Sequence, residues 1–167
     1  MRRVLLWLML VITALALCGC ASGPREAAER DDAIKARLLM KAMDDVGVCR
    51  PEQAVDVWIQ GLIKRSAAMQ YAVMDDNLRK EYAASLEKTA PNWVTGTSSP
   101  WVSGYAIGRV TETAQGQQLY TISVMTETST GPAGEYLAVL ALWQDGDFWR
   151  IGGISADDGL SAFTGFE

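Results

Sequence analysis

A chain of 167 residues with 49% hydrophobic and 21% charged side chains has ordinary globular usage, enough for one packed core and too little for two. Its formal net charge of −5 argues against a nucleic-acid binder, which should be basic. The absence of histidine removes His-based acid–base catalysis, Ser-His-Asp triads and His-ligated metal sites together.

The chain opens on Met1-Arg2-Arg3 and an apolar run over 4–17. That run is too short to span a bilayer and fits the hydrophobic region of an export signal. It ends in Leu17-Cys18-Gly19-Cys20-Ala21-Ser22, which resembles the lipobox of bacterial lipoproteins. The resemblance makes residues 1–19 a signal peptide and Cys20 the site of acylation, with Gly19 as the small residue before it. Cys18 is the competing site, but Leu17 would then occupy the small-residue position. Two or more acyl chains anchor stably where one is marginal. The expected location is therefore the extracytoplasmic face of the cell membrane or outer membrane, with the membrane as a partner through Cys20. Loss of Arg2 and Arg3 with the leader leaves 13 basic and 20 acidic residues, a net charge of −7. Acylation of Cys20 leaves only Cys49, with no internal partner, whereas an anchor at Cys18 would allow a Cys20–Cys49 disulfide.

Residues 20–49 read as a lipid-anchored linker, partly helical. The 25–45 stretch has good helix composition and a thin apolar stripe in Ile34 and Leu38. It suits either a helix standing off the membrane or, over its first dozen residues, a solvated spacer. Gly47 opens a stop, and Pro51-Glu52 restarts a helix with a proline and an acid where the missing donor and the dipole favour them. Val55, Trp58, Ile59, Leu62 and Ile63 then follow the i, i+3, i+4, i+7, i+8 spacing of one buried face. Gly61 inside that helix implies a close backbone approach. A short helix is expected over 69–74 and a third over 78–88, the latter capped by Asp76 or Asn77.

From Pro91 the texture becomes β. Strands are expected over 101–113, 118–129, 135–144 and 148–154, separated by Gln115-Gly116, the 131–134 Gly-Pro-Ala-Gly run and Asp145-Gly146. Tyr120, Ile122 and Val124 share one face of the second strand. The third is apolar at every position over 136–143 and should be covered on both faces. The cover would be the tail with Phe163 and Phe166, the 25–45 helix, or another subunit.

Helices followed by a four-stranded antiparallel sheet define an α+β fold. The stretch Pro51-Glu52-Gln53-Ala54-Val55 with Trp58, Gly61 and Arg65, then Gln70-Tyr71-Ala72, Leu78-Arg79 and Trp93-Val94-Thr95-Gly96-Thr97-Ser98-Ser99-Pro100-Trp101-Val102, resembles the nuclear-transport-factor-2-like superfamily. The resemblance covers 51–154 and implies a curved sheet wrapped round a helix into a cone over residues 50–167. Cystatin-like folds share the plan. Enzymes of the superfamily line the cone with a His, or with an Asp base and a Tyr donor. Here there is no His, and Asp145, Asp147, Asp157 and Asp158 read as turn or tail residues.

Tyr71, Tyr105 and Arg109 are the polar groups expected to reach a pocket, with Arg109 also suited to an outward, solvated position. Trp93 and Trp101 flank a Gly, Ser, Thr and Pro loop. Their indoles suit stacking on a sugar or peptide, or plugging the mouth of the cone as core. No Cys/His cluster, phosphate-binding glycine loop or calcium loop is present, so no metal or cofactor is expected. The reading is a binding or scaffolding domain for a small ligand or envelope polymer. A homodimer or interaction module using the apolar sheet face is the alternative, and an isomerase-like enzyme comes third.

Overall fold

The computed structural model describes residues 23–96 and 98–166. The leader and Cys20 lie outside them. The chain divides between Ala42 and Met43 into two compact units.

Helix α1, Pro24–Asp45, runs for 22 residues with none buried, so the stretch is helical from Pro24 onward rather than an irregular spacer. Ile34, Leu38, Leu39 and Met40 are all exposed. Arg25–Glu29 at 3.4 Å and Lys35–Asp31 at 2.6 Å are i,i+4 ion pairs in open solvent. Such pairs contribute only a few tenths of a kcal/mol each, about 0.3–0.5.

The second unit holds the core. Helix α2, Pro51–Ile63, starts from an extended Arg50 with no side-chain cap and buries Ala54, Val55, Trp58, Ile59 and Leu62. Gly61 meets the next helix as expected: a Cβ there would lie 2.6 Å from Gln70 Cγ and 3.0 Å from Gln70 N. The short helix α3 is Ala67–Ala72, two residues earlier than expected, because the Ser66 hydroxyl accepts from Met69 N–H at 3.3 Å and sets its start. Helix α4, Asp76–Thr89, is capped by Asp75, whose carboxylate accepts from Leu78 N–H at 2.8 Å, not by Asp76 or Asn77. An N-cap must itself be extended, and Asp75 is, at φ −76 and ψ 172.

Strands β1 (Trp101–Glu112), β2 (Gln118–Thr128), β3 (Gly131–Asp145) and β4 (Phe148–Ala156) form one antiparallel sheet in chain order. The 131–134 run is not a separator. Gly131 pairs with Thr128 and Pro132 with Glu127, so a two-residue hairpin loop joins β2 to β3. Pro132 sits at a register shift, where the ladder already tolerates a missing N–H. Further shifts interrupt β1 between Val102 and Gly104 and between Ile107 and Val110.

Tyr120, Ile122 and Val124 of β2 and Ala138, Leu140 and Leu142 of β3 are buried on the helix-facing side with Trp58, Ile59, Tyr82 and Leu86. The opposite side is not fully covered. Leu137 is 52% and Met125 39% exposed, and Val139, Ala141 and Trp143 are half-buried, with Trp143 lying over Gly152. The expected cover from Phe163 and Phe166 fails because those rings pack elsewhere. A 3-10 turn, Asp158–Leu160, and the four-residue helix α5, Ser161–Thr164, carry Phe163 into the core against Tyr136 and bring Phe166 onto Tyr82. The free edge of β4 is covered by backbone bonds from Val73, Asp75 and Val48.

Candidate functional site

The helix-facing side of the sheet is packed with side chains. Trp58, Ile59, Ile122 and Leu140 are fully buried, and Tyr82 closes the end of the core by donating its hydroxyl to Thr164 O at 2.7 Å. Burial drives the Tyr82 phenol pKa upward. Within this interior Trp58 Nε1 and Gln70 Oε1 are buried without a partner.

The loop between α4 and β1 sits against the corner joining α2 and α3. Arg65, the first residue past that corner's Lys64 cap, has φ 56, and Ser66 N–H returns to Gly61 O at 2.8 Å. Ala67 N–H bonds Trp93 O, Thr95 N–H bonds Arg65 O, and Gly96 N–H bonds Ala162 O. These bonds hold Trp93 at φ 62, left-handed backbone that disfavours a side chain. The residue is 44% exposed, and its indole meets the Tyr71 ring at 5.8 Å and 62°. Arg79 lies over the same Tyr71 ring at 5.5 Å, and its guanidinium donates to Tyr71 O and Ala72 O. Tyr71 and Trp93 are therefore brought together.

The other expected residues are not part of that group. Trp101 is half-buried at the start of β1 and pairs with Glu127. Tyr105 faces the helix side of β1 and donates its hydroxyl to Asp56 Oδ1 at 2.9 Å. Arg109 is exposed beside the second register shift of β1. Cys20 lies outside the described residues, and Cys49 is an exposed free thiol.

Two arrangements escaped the sequence. Glu52 accepts from the Tyr120 hydroxyl at 2.9 Å, one helical turn from the Asp56–Tyr105 bond. Both carboxylates come from the polar edge of α2, where acids read as the solvated side of an amphipathic helix. Burial first, then the bond to Glu52, pushes the Tyr120 pKa up to about 12. The bond to Asp56 raises that of Tyr105. Exposed Ile107 and Val110 line an open groove with Glu52 and Tyr120.

The second arrangement is a pair of buried guanidiniums, Arg79 at 3% and Arg150 at 4% exposure. Arg150 donates to Ala72 O at 3.1 Å and to Met43 O at 2.8 Å, and Arg79 reaches Asp44 at 3.2 Å. Burial and then the neighbouring Arg79 lower the pKa of Arg150. These groups are committed to the Ala72 carbonyl at the end of α3 and to Met43 and Asp44 within the second unit. Among the described residues no group of His, Cys, Asp and Glu is arranged to hold a metal, and no helix is long and apolar enough to cross a membrane.

A third feature is a cleft of about 540 Å3 whose lining includes Thr89, Asn92, Val94, Thr95, Ser98 and Gly165. No family model matches the chain, and no curated protein matches its sequence.

Proposed function

We propose that the chain is a lipid-anchored extracytoplasmic lipoprotein whose residues 50–167 form a nuclear-transport-factor-2-like cone that binds or scaffolds rather than catalyses. The observation that carries this reading is the filled helix-facing side of the sheet, with Trp58, Tyr82, Tyr120 and Leu140 at 2% exposure or less. Recognition is then a task for the surface, and the exposed Trp93 with Tyr71 offers an aromatic rim to a small ligand or envelope polymer. The element order supports the cone, as do the register shifts in β1 and β2, since bulges bend strands. Helix α1 supports the tether. A polar helix of 22 residues with nothing buried, about 33 Å long at ~1.5 Å per residue, suits a spacer between an acylated Cys20 and the domain.

A second reading, an interaction or dimerisation module using the sheet, is favoured by the exposed Met125 and Leu137. An isomerase-like activity has weaker support, because the Glu52–Tyr120 pair lines an open groove and the Asp56–Tyr105 bond is exposed, so solvent competes for every proton transfer.

Labelling of cells with a clickable fatty acid tests the anchor. Wild type should be labelled, and Cys20→Ala should lose the label and accumulate as uncleaved precursor. Label that persists in Cys20→Ala and disappears in Cys18→Ala overturns the assignment. Light scattering on the solubilised wild type separates the two surfaces. A monomer leaves the Trp93 rim, whereas a dimer that Leu137→Glu splits assigns the contact to the sheet.

A further inference from the structure

Strand β1 stands at one side of the sheet, and its outer edge is open. The edge on the other side, β4, is closed by backbone bonds from Val73, Asp75 and Val48. Among the described residues, no backbone bond from outside the sheet reaches positions 101–112. Every residue from Ala106 to Glu112 is exposed. A bare edge of 12 residues is a template for another strand, and proteins usually shorten or cover such edges.

The register shift within β1 adds a second feature. Ile107 pairs with Ile122 and Val110 with Tyr120, and both partners are buried on the helix-facing side. Residues three apart in a regular strand point to opposite faces, so the bulge aims both aliphatics to one face. Nothing covers them there, since Ile107 is 41% and Val110 48% exposed. They line a groove of about 430 Å3 with Tyr120 and two carboxylates, Glu52 and Glu112. The lining holds no basic side chain, and among the described residues no ion pair neutralises either acid.

We propose that the β1 edge and this groove bind an extended peptide segment of a partner protein, basic and apolar on its inward side, as an added strand. The proposal rests on reading the domain as a surface-binding module and names its partner. Regular rungs lie on either side of the shift, at Gly104–Ile107 and Val110–Glu112, and their outward backbone groups supply the new ladder. Alternate side chains of the added strand lie over the groove, apolar ones against Ile107 and Val110, cationic ones against Glu52 and Glu112. The Tyr120 hydroxyl occupies Oε1 of Glu52 and leaves the other oxygen to the cation. A second copy of the chain would bring the same two acids to the groove, and a net charge of −5 opposes self-association. Charge therefore selects a basic partner.

The test is fluorescence anisotropy of the full chain, in an uncharged detergent, with a labelled eight-residue peptide in which Thr alternates with Lys, Val, Val and Lys. Wild type should bind it saturably at low salt, with a Kd below about 200 μM. Glu in place of both Lys should abolish binding. N-methylation of the two central amides removes one donor from each edge of the peptide and should weaken binding about tenfold or more. Glu112→Lys should weaken it about tenfold and Val110→Ser about threefold, with circular dichroism unchanged. Leu137→Ser and Trp93→Ala, on other surfaces, should bind as wild type does. The proposal is overturned if wild type shows no saturation up to about 2 mM peptide. It is equally overturned if the methylated peptide or Glu112→Lys shows the original affinity, or if Leu137→Ser or Trp93→Ala abolishes binding. A wild-type dimer that binds no peptide and that Val110→Asp splits overturns it in favour of a second copy. Lipid labelling at Cys20 is read independently, so loss of peptide binding with labelling intact removes this site and leaves the tethered binding module standing.

Discussion

Trp58 offers the sharpest test of the packing, because the structure makes opposite demands of two substitutions. The side chain is fully buried on the sheet-facing side of α2, and its Nε1–H has no acceptor. Truncation to Ala removes a large aromatic from a packed interior and should cost about 3–5 kcal/mol, the usual scale for such changes. That is about a fifth or more of the roughly 5–15 kcal/mol that stabilises an ordinary domain. Trp58→Phe keeps most of the ring while deleting the orphaned donor. The smaller ring forgoes roughly 40 Å2 of apolar burial, about 1 kcal/mol at ~25 cal/mol per Å2. Against this, an unpaired buried N–H costs about 1–3 kcal/mol and disappears with the substitution. The balance leaves Phe between about as stable as wild type and about 2 kcal/mol more stable. Equilibrium urea unfolding followed by far-UV circular dichroism reads both variants, provided the slope stays constant. An Ala variant that loses less than about 1 kcal/mol, or a Phe variant as damaged as Ala, would refute the placement of this side chain.

Gly61→Ala should destabilise by about 1–2 kcal/mol. Ala is favoured over Gly in a helix by about 1 kcal/mol, but here its Cβ would press on Gln70 Cγ at 2.6 Å and on the Ser66 carbonyl at 3.1 Å. A rise in melting temperature, as an exposed helical glycine would give, refutes the close approach. Stability should also fall in alkali. Folding raises the Tyr120 phenol to about 12, and it raises Tyr82 and Tyr105 too. The fold therefore favours the protonated phenols, and their contribution is complete below the unfolded value of about 10 and is lost as pH climbs through the folded values. The unfolding midpoint should be level up to about pH 9.5 and decline between about 10 and 12, with Tyr120→Phe flattening part of the decline. A level profile to pH 12 would contradict the burial of Tyr82 and Tyr120 and the bond of Tyr105 to Asp56.

How far the chain could be read ahead varied with how local the determinant is. The buried face of α2 was legible because Val55, Trp58, Ile59 and Leu62 repeat with the helix period. The inner face of β2 was legible for the same reason at period two, and the glycine at 61 announced its own close contact. The start of α3 lies two residues before the expected one because Ser66 caps it, and the cap of α4 lies one before because Asp75, Asp76 and Asn77 can each cap and only the backbone decides which is extended. The Gly-Pro-Ala-Gly run misled in a different way. Glycine and proline usually punctuate, yet a two-residue hairpin between Thr128 and Gly131 had already turned the chain, and the run continued into the ladder. The apolar run over 136–143 implied two covered faces, but composition does not say whether the second cover exists. Leu137 shows that much of it stays open.

The site was less legible, and the reason is visible in where its parts come from. Trp93 and Tyr71 are 22 positions apart and meet only because the left-handed turns at Arg65 and Trp93 fold the loop back onto the start of α3. Positive φ at a non-glycine residue has no marker in the amino-acid letters, so the strain that singles out Trp93 emerges only from the backbone. The carboxylate–tyrosine pairs were hidden because Glu52 and Asp56 looked like the solvated side of an amphipathic helix, which they also are. Their partners Tyr105 and Tyr120 stand on neighbouring strands, and the pairs form because α2 lies across both. Sequence spacing identifies residues that share an element. The chemistry of this domain lies where elements cross, and there the largest aromatics have already filled the interior. Outside that interior the α4–β1 loop, the α2–α3 corner and the 158–166 segment are tied together by backbone bonds, and Trp93 stays exposed beside Tyr71.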